Sequence, residues 1–370
     1  MNSFPAVDPI PLPAPIWLFK LLHIVTLSLH FVAVEMLLGG LLLAVLLSTR
    51  SAGSPAHTAA RAMGRRLTVV MTYVINLGVP PLLFAQVLYG RALYTSSVLI
   101  GAYWISIIAI LTLTYWLLYQ FSFRLEAGKS AWLVGLLAWL GCGSVAKLLS
   151  TNMTLMLRPE VWRSMYTASG AGVYLPKSDP TTEPRFFLML CGGVFVAGLW
   201  MIYLAGRSTF AAEDKKFLAG FGGKVAVLFG ILYIAAGLWA NSVQPAAVKA
   251  GIASHPLYHL FGYAAYGWLA LVGVAILLGA AAGFGRITAG WLGWAGALLT
   301  LLFEICFTTY RDAIRDVTLL TKGYNVWDRV VVTNWSVVGI FLVLFVAGLV
   351  IVGWLVSVVA RAQKPMESAA

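Results

Sequence analysis

Two histidines, His23 and His30, lie seven residues apart in one long apolar run. Seven residues is close to two helical turns, so both side chains leave one face of a helix, about 10 Å apart along its axis. A second pair, His255 and His259, opens another apolar run. Neutral imidazole is a common axial ligand of haem iron, and a bis-histidine site needs ligands from two helices. The candidate iron ligands are therefore His30, His23, His259 and His255, and the cofactor they imply is one or more haem b. Gly39–Gly40, Gly192–Gly193, Gly262 and Gly267 are small residues that could let helices part around a macrocycle. The competing reading is a hydrogen bond from each histidine to a neighbouring helix. Both readings stay open at this point. His57 falls in a basic loop and reads as solvated.

Other ionisable groups also sit in apolar runs. Glu35 and Glu304 could pass protons or pair with a cation, and Lys147 could reach an interface with its long side chain. Asn76 and Gln86 share a run with Pro80–Pro81 and either bond a ligand or hold helices together.

The elements that must position these groups are membrane helices. The chain is 61% hydrophobic and 10% charged, where a soluble domain carries about a quarter charged residues. Mean hydropathy is +0.88. The fold class expected is an all-α, polytopic transmembrane bundle forming one domain. Nine apolar segments are visible, at approximately 17–48, 67–89, 97–121, 131–150, 185–206, 223–243, 257–281, 286–309 and 334–360. Met1–Pro15 is Pro-rich without a basic stretch, so the first segment reads as a retained helix rather than a cleaved leader. Arg50, Arg61, Arg65, Arg66, Arg124, Lys129, Arg207, Lys215, Lys216, Arg286, Arg361 and Lys364 follow the odd-numbered segments. By the positive-inside tendency those ends are cytoplasmic, with the N-terminus outside and the C-terminus inside a bacterial inner membrane.

Two longer loops, Asn152–Pro184 and Tyr310–Asn334, fall on the outer side. They hold Trp162, Tyr166, Tyr174, Tyr324 and Trp327, and charges that include Arg311, Asp312, Arg315 and Asp316. They read as an interfacial aromatic belt or as a docking surface for a periplasmic partner. Cys142, Cys191 and Cys306 lie in apolar runs with no C-x-x-C or C-x-x-C-H, so no zinc ribbon or covalent c-type haem is encoded here. The net charge of +12 suits anionic lipid headgroups. No basic run with interleaved aromatics points to nucleic acid.

At this level the residues resemble subunit I of the cytochrome bd oxidases. His30-Phe-Val-Ala-Val-Glu-Met-Leu-Leu-Gly-Gly is similar to that family's first helix, whose His-Phe carries an axial haem ligand. Asn76-Leu-Gly-Val-Pro-Pro-Leu-Leu-Phe-Ala-Gln-Val-Leu-Tyr-Gly90 resembles its second helix, Asn152 to Pro159 an outer Asn…Pro element, and Pro256-Leu-Tyr-His-Leu-Phe the opening of its seventh helix. The departures are specific. In the run Arg185-Phe-Phe-Leu188, leucine stands where the family has a histidine ligand. The family's methionine ligand falls near Ala264, and its glutamate ligand near Thr308 or Thr309. Glu304 resembles a different glutamate, one turn earlier. Ala240–Pro256 is too short for the quinol-binding loop.

The resemblance implies a b-type haem electron-transfer subunit of a respiratory complex. It would exchange electrons with a quinol pool, a periplasmic c-type cytochrome, or both, beside other redox subunits. His23 and His259 would replace the missing ligands, and no haem ligated by Leu188 or Ala264 is expected, since neither side chain has a donor atom. A haem-free membrane anchor of a redox complex and a transporter are the alternatives. Against a transporter, Pro80–Pro81 is the one midspan break.

Overall fold

The computed structural model describes residues 4–6, 10–177, 179–285 and 287–361. Arg286 and Lys364, two of the cations used to orient the chain, lie outside the described residues. Eleven α-helices are present among the described residues: α1 Ile16–Ser48, α2 Pro55–Leu99, α3 Gly101–Glu126, α4 Trp132–Leu155, α5 Pro159–Ala168, α6 Thr182–Ala205, α7 Ala212–Ser242, α8 Ala246–Ser254, α9 Pro256–Gly285, α10 Gly290–Thr321 and α11 Trp335–Arg361. Nine of them are long and apolar enough to cross a membrane. The protein is a multi-pass membrane protein. The only strand-like pairing described is an isolated bridge between Leu12 and Val331, which ties the N-terminal segment to the stretch before α11. All-helical construction follows from the solvent, because a helix satisfies its own backbone groups where no water can.

Several helices outrun their apolar segments. α2 has 45 residues, about 67 Å at helical rise, and so exceeds a hydrocarbon core of about 30 Å. It carries Pro80 and Pro81 inside and loses helical geometry at Tyr89 (φ −124°, ψ 19°). Beyond that kink, Ala92, Leu93 and Leu99 pack with Phe4, Leu12, Trp162 and Tyr324 in a cluster at the N-terminal end of α1. Two short helices, α5 and α8, occupy stretches that read as plain loops. The largest difference is in α10, which continues as helix through Thr321. Asp312, Arg315 and Asp316 are therefore buried helical residues and not part of an exposed outer loop.

α1, α6 and α10 form the centre. α1 and α6 run side by side at very close range: a Cβ built on Gly39 would stand 1.8 Å from the carbonyl oxygen of Gly193. These glycines bring two backbones together, and do not part them around a macrocycle as their spacing had suggested. α10 lies antiparallel to α1, as the pairs Lys20–Asp316, His23–Arg315 and Ser28–Thr308 require. α11 and α3 face outward, with few of their side chains buried in the chain alone.

Candidate functional site

The α1–α10 seam carries a column of polar residues through an otherwise apolar bundle. From Lys20 to Glu35 it spans fifteen residues of α1, about 22 Å. At the N-terminal end of α1 Lys20 is buried against two carboxylates. Its Nζ lies 2.6 Å from Asp312 Oδ2 and also bonds Asp316. The Tyr89 hydroxyl accepts from Lys20 at 3.1 Å and lies 2.7 Å from Asp316 Oδ1. Tyr258 donates to Asp316 at 2.6 Å, and Trp327 donates to Tyr258 at 2.9 Å. Arg315 stands 3.8 Å from Asp312 and 5.0 Å from the Tyr89 ring centre. Two cations and two carboxylates thus balance inside the protein, which is the condition for burying charge at all. The kink at Tyr89 turns α2 where the tyrosine enters this network. A surface cavity of about 300 Å³ reaches the same place, lined by His255, Tyr258, Asp316, Asn325 and Trp327 among others.

His23 belongs to this layer. Its Nε2 lies 2.8 Å from an Arg315 nitrogen, and its Nδ1 lies 3.0 Å from the Pro81 carbonyl. A guanidinium can only donate, so Nε2 accepts and Nδ1–H donates to Pro81. Both ring nitrogens of His23 are engaged. His30 lies two turns deeper on the same face, also against α2, with Nδ1 3.1 Å from the Val74 carbonyl. That contact makes Nδ1 the donor and leaves Nε2 with a lone pair and no hydrogen bond among the described residues. This is the arrangement metal-ligating histidines commonly have. Gly78 makes room for the ring: a Cβ there would be 2.9 Å from His30 Cε1.

His255 and His259 are not brought together with this face. His255 caps the start of α9, its Nδ1 accepting from the backbone of Leu257 (3.2 Å) and Tyr258 (3.4 Å). His259 is exposed beside Tyr263. No cluster of three or more His, Cys, Asp or Glu side chains suited to a metal ion exists among the described residues.

Two further arginines make no close ion pair among the described residues, although Asp312 faces Arg311 and Asp179 faces Arg185. Arg311 stacks over Phe31, 5.5 Å from the ring centre, beside Arg315 and Arg185. Arg185, at the start of α6, donates to Thr154 Oγ1 at 3.2 Å. Leu188, one turn further along α6, is buried and has no donor atom. Between the His23 and His30 levels, Ser28 and Thr308 share a 2.6 Å hydroxyl bond. Glu35 and Glu304 then meet, their carboxyl groups within hydrogen-bonding reach, with the Tyr233 hydroxyl donating to Glu304 at 3.2 Å. A single imidazole with a free Nε2 suits one axial ligation, and the guanidinium of Arg311, over the neighbouring Phe31, suits a haem carboxylate. It does not suit a bis-histidine site with His23.

Lys20, Tyr89, Tyr258, Asp312, Arg315 and Asp316 are the residues that sequence reasoning missed. A legible sign existed: a lone Lys20 in an apolar helix demands a carboxylate, and Asp312 and Asp316 are one helical turn apart.

No protein-family model matches the chain, and no curated protein matches its sequence. A structural match is nevertheless extensive. One chain of the bd oxidase from Geobacillus thermodenitrificans superposes with a TM-score of 0.67 at 12% identity, over 96% of this chain and 100% of that one. The chain has the bd oxidase fold. Within that fold, α1, α6 and α10 are the helices that carry the polar column.

Proposed function

We propose that this protein is a membrane-embedded electron-transfer subunit of a respiratory complex, a divergent relative of the bd oxidases in a bacterial inner membrane. It holds a b-type haem through His30. The observation that carries this reading is the His30 imidazole, whose Nδ1 bond to Val74 leaves Nε2 available as a ligand. Bound there, haem would supply a one-electron carrier. The protein's own residues have separable tasks in this reading. Val74 fixes the tautomer, Gly78 admits the ring, and Arg311 and Arg185 meet the carboxylates that a haem b brings. His23 stays on Arg315, while His255 and His259 lie outside that layer, so His30 is the single histidine ligand. The donors or acceptors are a quinol pool, an associated c-type cytochrome subunit, or both. Anionic lipid surrounds the cationic ends. The N-terminus lies outside and the C-terminus in the cytoplasm.

The test is optical. The purified chain should show a Soret band and a b-type reduced-minus-oxidised spectrum, and His30→Ala should lose that band and still fold. A membrane hydrogen bond alone averages only about 0.6 kcal/mol, so loss of the Val74 contact does not unfold the bundle. Unchanged haem content in His30→Ala refutes the ligand assignment.

A second reading is a haem-free membrane subunit of a redox complex. The observation in its favour is that Lys20, His23, Asp312, Arg315 and Asp316 already satisfy one another. A wild-type chain without Soret absorbance selects it.

A further inference from the structure

The Glu35 end of the seam is built differently from its Lys20 end. Lys20 and Arg315 neutralise Asp312 and Asp316, but no cation reaches Glu35 or Glu304 among the described residues. Both side chains are almost fully buried, Glu304 completely. No donor reaches Oε2 of either among the described residues. Five helices surround the pair. α1 supplies Glu35 and α10 supplies Glu304. α7 supplies Tyr233, α9 supplies Trp268 edge-on to Tyr233 at 4.9 Å, and α6 supplies only glycine there. The Gly192 position is a cradle: a Cβ would stand 2.5 Å from Glu35 Oε1 and 2.8 Å from the Tyr233 ring. The nearest other hydroxyls on the seam are Ser28 and Thr308, one turn from Glu304 along α10. Among the described residues, Tyr233 is the only other titratable group that faces the pair.

Two buried carboxylates in contact, with no cation beside them among the described residues, cannot both be ionised, so one carboxyl must keep its proton and donate it to the other. We propose that Glu35 and Glu304 form a proton-binding carboxyl pair that holds one proton at rest and takes up a second when negative charge arrives at the His30 layer. The second half rests on the haem reading above; the first half does not. His30 is five residues from Glu35 on α1, about 7.5 Å along the helix. A unit charge arriving roughly 10 Å away changes the pair's proton affinity by about tenfold at an effective dielectric constant near 20. The step balances simply. One electron from a one-electron reductant enters the His30 layer, and one proton from water forms an O–H bond on the anionic pair. No other bond changes.

Infrared spectroscopy of the purified full chain in detergent reads both halves. At neutral pH the resting wild type should show a deuterium-sensitive C=O stretch of a protonated buried carboxyl, and Glu35→Gln together with Glu304→Gln should remove it. Dithionite reduction should then give a difference band of one further protonated carboxyl, absent from either single Gln variant. A resting wild type with no such band overturns the pair, whether or not the variants fold. A band that survives in the double variant overturns it equally. A chain without Soret absorbance defeats the haem reading and with it the second uptake, while the resting band still decides the pair.

Discussion

Replacing Lys20 by Met removes one of two cations from a closed network of four charges, and the cost follows from what remains. Asp312 and Asp316 would then share Arg315 alone, 3.8 Å from Asp312. Breaking a buried ion pair by removing one partner typically costs about 3–5 kcal/mol. An independent route gives the same size. If one aspartate escapes by taking a proton, the cost at pH 7 against an ordinary carboxyl near 3.9 is about 4 kcal/mol. At pH 5 the same sum is about 1.5 kcal/mol, so the penalty shrinks as the medium itself supplies the proton. Sodium dodecyl sulfate titration in mixed micelles measures the unfolding free energy, and the buried thiols of Cys142 and Cys191 report unfolding by becoming reactive. Lys20→Met should lie about 4 kcal/mol below wild type at pH 7 and should close most of that gap at pH 5. Adding Asp316→Asn should recover most of the loss at pH 7, since Asp312 then balances Arg315 and no carboxylate is left unpaired. A Lys20→Met protein within about 1 kcal/mol of wild type at pH 7 would refute the burial argument. A gap that does not narrow at pH 5 would refute its electrostatic cause.

Close helix approach gives a paired comparison: Gly39→Ala should destabilise by about 1–3 kcal/mol because its methyl meets the Gly193 backbone, while Gly220→Ala, with open space around it, should be neutral or stabilising by up to about 1 kcal/mol. The same unfolding titration separates them. Gly78→Ala should displace the His30 ring and lower haem content severalfold without a matching loss of stability, read as the ratio of Soret to protein absorbance. For orientation, a C-terminal alkaline phosphatase fusion should be inactive in whole cells, and an active fusion would invert the assignment.

Membrane residence and the positions of nine spans were legible in the linear order of residues. Apolar runs must be helices in lipid, and their lengths are set by bilayer thickness, so no long-range information was needed. His30 and Glu35 could likewise be singled out by type alone, since each is costly in a span. The helical run from Tyr310 to Thr321 could not be recognised in this way. Its charge content made Asp312, Arg315 and Asp316 look like a wet loop, and only the antiparallel packing of α10 on α1 brings Lys20 to them and turns a loop pattern into a buried, neutral network. Tertiary structure also decided the fates of the two histidines. His23 and His30 are equivalent by spacing, but the Arg315 guanidinium reaches one and not the other. It decided the meaning of the glycines too, because whether a small residue parts two helices or joins them depends on what faces it, and Gly39 faces the backbone of Gly193. A sequence states which side chains need partners; the partners themselves lie up to 319 residues away, and only the packed bundle chooses among them.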